Sequence, residues 1–175
     1  MTQLESAKKN IQTAETAYVA EKERQELSYI INEVANGRIV IPKNTGHNIK
    51  RLCGIGNGLT TKVNANIGTS DEHPDIAKEL EKLKTAIDAG ADTIMDLSVG
   101  GGLRSVLKNV IEVSDVPVGT VPIYEVATNV LRRGVISDMS WSDIEPILEW
   151  QARIGVDFFT IHSGVTREIV EFLKK

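Results

Sequence analysis

Four short apolar segments, each followed by an amphipathic helical pattern, predict an α/β fold with a parallel sheet. Consecutive strands separated by helices run parallel, because each return needs a crossover. The strands are nearly continuous in apolar residues, as strands covered on both faces are. Two architectures fit this alternation: a doubly wound open sheet, and part of a (β/α)8 TIM barrel. The fold class read from the sequence is the second, a partial barrel of about four strand–helix units preceded by an N-terminal helical segment.

Residues 3–35 predict one long helix or two shorter ones, opened by Thr2 and stopped by Asn36-Gly37. Leu27, Ile30, Ile31 and Val34 form an apolar stripe near its end. The first twenty residues are less apolar and are expected to project or fray. RIVIP is a short apolar segment broken by Pro42, and residues 43–61, rich in glycine, read as loop. Residues 1–61 are therefore assigned to an N-terminal helical and loop segment, and residues 62–175 to the first half of a barrel.

VNANI reads as the first strand of that half. Residues 71–87 read as a helix with Ile76, Leu80, Leu83 and Ile87 on one face and Gly90 beyond its end. TIMDL, 93–97, is the second strand, and residues 103–113 are the second helix, with Leu103, Val106, Leu107, Val110 and Ile111 facing in. VPVGTVPI, 116–123, is the third strand, shortened by its prolines. A helical piece spans 124–131. Ser140 opens a capping-box pattern for a helix to about residue 153. FFTIHS, 158–163, is the fourth strand, and Thr166 caps a last helix.

The chain has 175 residues, 41% apolar and 25% charged, as one soluble globular domain or part of a larger one has. A net charge of -4, with both signs interspersed, excludes the basic stripe of a nucleic-acid binder. No apolar run is long enough for a transmembrane helix, and the polar N-terminus lacks a secretion signal. A cytoplasmic protein is expected. The single cysteine, Cys53, excludes an internal disulfide framework and a cysteine-built metal or iron–sulfur site in this chain alone.

Asn66, Met95, Tyr124 and His162 recur at or near the C-terminal ends of the strands, the first three evenly spaced. Barrel enzymes build their sites at that edge from several strands, whereas an open sheet binds at one switch point, so the ring favours the barrel. The Rossmann glycine fingerprint is missing, since GIGNG at 54–58 precedes a strand. Alternation puts Asn64 and Asn66 on one side, where an amide offers a ligand both donors and an acceptor. The competing reading is an Asn bonded to neighbouring backbone or a turn. His162 is a proton donor, a ligand-binding group or a metal ligand, against the alternative of a satisfied core histidine. Tyr124 offers a phenolic hydrogen bond or is a packed aromatic. Met95, on chemistry alone, is core filler.

Asp96 faces away from Met95 and is expected to be ion-paired or capped beneath the following loop. Gly100, Gly101 and Gly102 precede a helix as an anion-binding loop would, or form a turn. His47 and His73 are expected at the surface, and Cys53 in a structural role. KELEKLK is a solvated helix face.

GIGNGLTTKVNANIGTS, AGADTIMDLSVGG, VPVGTVPIYE and GVDFFTIHSGVTRE, together with the upstream GRIVIP, resemble consecutive signatures of the phosphomethylpyrimidine synthase family of thiamine biosynthesis. The likeness covers about residues 36–168. It implies a (β/α)8 barrel and a radical reaction converting 5-aminoimidazole ribotide to 4-amino-5-hydroxymethyl-2-methylpyrimidine phosphate. It also implies S-adenosylmethionine, a 4Fe–4S cluster and zinc for the full-length enzyme, none of them held by this chain alone. Matched motif by motif, the family's substrate-binding positions become Asn66 in VNANIG, Met95 in TIMDLS, Tyr124 in VPIYE and His162 in TIHSG. The sequence departs from the family at VGGG after MDLS, at Ser163, and across residues 128–139, none of which touches those four.

The family's later substrate contacts, its metal-binding histidines and its three-cysteine motif have no counterpart here. The chain is accordingly expected to be the N-terminal half of such an enzyme, a fragment or truncated homologue inactive by itself. A small-molecule substrate is expected, with no nucleic acid and no membrane. A complementary C-terminal half or a second copy would cover the exposed edges and apolar interior of a half-barrel. One alternative is a non-catalytic, self-associating half-barrel that binds a phosphorylated small molecule. A phosphosugar isomerase or aldolase fragment would need a catalytic Lys, Asp or Glu at a strand end. Lys62 begins its strand instead, which leaves Asp96.

Overall fold

The computed structural model describes residues 1–69, 75–99, 102–164 and 166–174. His73, Gly100 and Gly101 lie outside the described residues. The N-terminal unit holds α1 (Gln3–Lys8), α2 (Ala14–Glu23) and α3 (Leu27–Ala35), followed by β1 (Ile39–Val40) and β2 (Ile55–Gly56). Thr2 caps α1 and Thr13 caps α2, each in a reciprocal box with the residue three further on. The expected one or two helices are three because Asn10 and Arg24 adopt left-handed conformations that end α1 and α2.

The first twenty residues do not project. Ala7, Val19 and Ala20 are buried with Ile30, Ile31, Val34, Ile39, Ile41 and Leu52 in one core. Small residues suffice there because α1 and α2 lie close against α3. The stretch read as loop also contains β2, paired antiparallel to β1. Gly56, at φ +147, permits the pairing, since a Cβ there would meet the Arg38 carbonyl.

The second unit holds β3 (Asn64–Ile67), α4 (Ile76–Asp88), β4 (Thr93–Asp96), α5 (Leu103–Val113), β5 (Val118–Thr120), α6 (Pro122–Leu131), α7 (Trp141–Ile154), β6 (Phe158–Phe159) and α8 (Arg167–Leu173). A 3-10 turn, Ile136–Asp138, joins α6 to α7. The four strands are parallel and ordered β3-β4-β5-β6, each beside its successor. The connections between successive neighbours are helical, and the helices that pack on the sheet lie on one of its faces. Leu83 of α4, four buried residues of α5, and Trp150 and Ile154 of α7 all pack with Ile67, Ile94 and Val118. No reversal of strand order occurs among the described strands, so no switch point of the doubly wound kind lies within them.

The two units join along the N-terminal edge of the sheet, through an aspartate just before each later strand. Asp92 accepts from Val63 N (2.9 Å) and pairs with Lys22 (3.4 Å). The Asp115 carbonyl accepts from Lys50 N and Arg51 N, and its carboxylate from Arg51 (2.9 Å). Asp157 accepts from Asn44 N, His47 Nδ1 and Val118 N, each at 2.7 Å. Lys62 and Glu23 add an ion pair at 2.8 Å whose side chains are 7% and 3% exposed.

His47 is buried, contrary to the surface position expected of it. Its Nε2 faces the Ser114 carbonyl at 3.1 Å, while Nδ1 faces Asp157. Both partners are acceptors, so only the imidazolium, with two N–H donors, satisfies both. Burial opposes that charge, but the bond to Asp157 and its negative charge outweigh burial and raise the His47 pKa above its ordinary value. Among the described residues no helix is long and apolar enough to cross a membrane.

A raised folded-state pKa means that the His47 contribution is complete below the unfolded value and is lost as pH climbs through the folded one. Stability to urea is expected to fall as pH rises above the ordinary histidine value of about 6.5 and through the raised folded-state value in the wild type, and His47→Gln flattens that dependence. A wild-type profile as flat as the variant's contradicts the ion pair.

Candidate functional site

The sheet register sorts the side chains. Asn66 pairs with Met95, Met95 with Gly119, and Gly119 with Phe158. Paired residues share a face, so these four form one row across the sheet. Ile94, Val118 and Ile67 belong to the opposite face, under the helices. Asn66 is exposed, Met95 is 6% exposed, and Phe158 is half-buried. Gly119 leaves room for the Phe158 ring, which occupies the space a Cβ at 119 would need.

Tyr124 is not on the strand. β5 ends at Thr120, and Pro122 starts α6, placing Tyr124 in the first turn of that helix. Proline suits a first helical position, where its missing N–H is no loss, so the segment read as strand turns into helix two residues early. Regular pairing in the fourth strand is shorter than expected too, spanning Phe158–Phe159, with one further ladder bond from Thr160 N to Thr120 O at 2.8 Å. His162 lies beyond it and is exposed.

The Tyr124 and His162 rings are 6.0 Å apart between centroids and tilted by 38°. Thr160 Oγ1 reaches the Met95 sulfur at 3.8 Å. The four predicted residues thus form two contacting pairs, Asn66 with Met95 and Tyr124 with His162. Thr160, two positions before His162, connects the second pair to the first. The group offers amide donors and an acceptor, a soft thioether, a phenol and an imidazole.

Glu125, which the sequence reading passed over, holds Tyr124's helix in place. Its side chain is 4% exposed and accepts from Arg104 Nε at 2.5 Å and Gln151 Nε2 at 3.0 Å. Gln151 accepts in turn from Thr120 Oγ1 at 2.6 Å, and Arg104 stacks on Trp150 at 4.3 Å. The network ties the first turn of α6 to β5, α5 and α7. An acidic residue beside Tyr124 was its only trace in the sequence.

Asp96 pairs in register with Ile67 and Thr120, on the helix-covered face. Burial raises its pKa against the opposing effect of bonds from Ser98 N (2.9 Å) and Oγ (2.5 Å). It caps the loop, as one reading had it, and faces away from Asn66 and Met95. Lys62 is enclosed with Glu23 at the other edge of the sheet. The isomerase or aldolase reading therefore lacks its strand-end base and its lysine. Cys53 is fully buried, and burial pushes its thiol up to about 11. It sits among Lys22, Asp92, Lys62 and Glu23, the charged groups that join the two units.

The Radical SAM ThiC family profile matches residues 2–175. The chain is 48% identical, over its full length, to a phosphomethylpyrimidine synthase of Moorella thermoacetica, of which it covers 41%. It is 48% identical over 98% of its length to one of Thermus thermophilus, covering 40% of that protein. It is 51% identical over 99% of its length to one of Caldanaerobacter subterraneus, again covering 40%. The chain spans about two fifths of the length of the curated relatives it matches. Likeness of this degree over the whole sequence shows that the chain belongs to the radical SAM ThiC family.

Proposed function

We propose that this chain is the N-terminal part of a phosphomethylpyrimidine synthase and carries one wall of its site for 5-aminoimidazole ribotide. Residues 62–175 are then the first half of a (β/α)8 barrel, with residues 1–61 a helical unit across its N-terminal edge. The observation that carries the reading is a coincidence of two lines. Relatives named for that activity match the chain end to end. The four residues matched to the family's substrate positions make two contacting pairs, and Asn66 and Met95 share the sheet face opposite the helices.

In this reading the Asn66 amide hydrogen-bonds the ribotide, and the Met95 thioether packs beneath its ring. Tyr124 and His162 close the opposite side with a hydroxyl and an imidazole. In the full-length enzyme S-adenosylmethionine and a 4Fe–4S cluster, with zinc, would supply the radical chemistry, held by residues other than those of this chain. Cys53 does not fit a cluster ligand, because a ligand must be a thiolate and burial opposes that form. The chain contributes substrate contacts, and alone it binds without turning over.

Calorimetric titration of the ribotide into the chain tests this. Weak binding is expected, with a dissociation constant on the order of 0.1–1 mM, because only one wall is present. Asn66→Ala and His162→Ala each weaken it by about tenfold, the cost of one strong hydrogen bond. Equal affinity in all three proteins removes both residues from the site.

A second reading, self-association, is favoured by the exposed apolar surface at β6 and α8. Ile161, Phe172 and Leu173 are 71%, 75% and 76% exposed, and no residue of α8 is buried. Such a patch is covered by a second copy or by a complementary barrel half. Sedimentation should show concentration-dependent association that Phe172→Glu with Leu173→Glu abolishes. A monomer at every concentration counts against it.

A further inference from the structure

One polar chain on the ligand-facing side of the sheet involves two residues, Asn64 and Thr93, that are not among the four matched to the family's substrate positions. Thr93 is 3% exposed, and its Oγ1 donates to Asn64 Oδ1 at 2.7 Å. Asn64 Nδ2 in turn faces Asn66 Oδ1 at 3.5 Å. Thr93 is the register partner of Asn64, so all three side chains stand on the row of Met95 or the one beside it.

The chain has a direction. A buried hydroxyl is costly to leave with its hydrogen unspent. Asn64 Oδ1 accepts the Thr93 hydrogen, so the Asn64 amide is turned with its nitrogen toward Asn66. That nitrogen can only donate, so it selects the oxygen of the Asn66 amide as its partner. Reversing the Asn66 amide would set two N–H groups against each other.

We infer that Asn64 is a positioning residue, which together with Thr93 turns the Asn66 amide so that its Nδ2–H groups face the ligand. The inference rests on the ribotide-site reading and adds to it the polarity of one contact. Asn66 acts as a hydrogen-bond donor, and the ligand atom opposite it is an acceptor, a lone-pair nitrogen or an oxygen. Asn64 is exposed at the sheet-edge strand, so its replacement leaves the core intact.

The test compares wild type with Thr93→Val, which keeps the shape and loses the hydroxyl, Thr93→Ser, which restores it, and Asn64→Ala. Side-chain amide NMR of the ligand-free chain is the first readout, with the Asn66 resonances assigned by their loss in Asn66→Ala. Thr93→Val and Asn64→Ala are expected to move the Asn66 pair and speed its hydrogen exchange, while Thr93→Ser keeps the wild-type signal. Ribotide affinity is the second readout, falling about fivefold in the first two variants and recovering in Thr93→Ser. A merely structural tie between β3 and β4 would change urea stability and leave the Asn66 signal in place. An unmoved Asn66 pair in both Thr93→Val and Asn64→Ala overturns the inference. If the wild type binds no ribotide, the functional reading fails by itself, and the ligand-free spectra still decide whether Asn64 orients Asn66.

Discussion

Asn66 pairs with Met95, Met95 with Gly119 and Gly119 with Phe158, so one row of side chains crosses all four strands on the face away from α4, α5 and α7. A slip of one residue in any strand would exchange that row for the apolar one beneath the helices. It would bring Ile67, Asp96 or Val118 to the open side and bury Asn66 or Met95 among Leu83 and Val110. The large apolar core under the helices therefore holds the register, and the register brings a polar amide and a thioether side by side. Gly119 matters in the same way, because its missing side chain lets the Phe158 ring fill the row.

The other edge of the sheet is closed by charge. Asp92, Asp115 and Asp157 precede β4, β5 and β6, and each takes donors from the N-terminal unit. Asp157 is the most enclosed of the three and accepts three bonds, which offsets the cost of burying its charge and that of His47. With the N-terminal edge occupied in this way, the C-terminal edge is the one at which the proposed ligand site lies. There Glu125 does for α6 what Asp157 does below, fixing the turn that carries Tyr124 beside His162.

Much of this was legible in the sequence where the signal is local. The helix over Leu103–Val113 was read to the residue, because its apolar positions repeat at helical spacing and lie on one face. Thr2, Ser140 and Thr166 were read as caps and are caps. What stayed hidden depends on residues far apart in the chain. His47 looked like a loop histidine because Ser114 and Asp157, which enclose it, lie far along the sequence. β2 was lost among glycines, one of which makes the pairing possible. Pro122 and Ile123 were assigned to the third strand because the apolar run through Pro122 hid the first residues of α6, whereas the helix through Tyr124 was read. The ring of candidates was visible as a spacing, but the pairing within it, Asn66 to Met95 and Tyr124 to His162, required the folded sheet.

The remaining structure gives the four residues of the proposed site their surroundings. The core sets the register, the aspartates seal one edge, and Glu125 sets the angle of α6. The most direct measurement is a ribotide titration followed by NMR of the Met95 methyl, the His162 imidazole and the methyls of Ile94 and Val118. The account predicts that Met95 and His162 shift together with one saturation curve while Ile94 and Val118, beneath the helices, stay in place. Separate curves for Met95 and His162, or shifts confined to the helix-covered face, would contradict it.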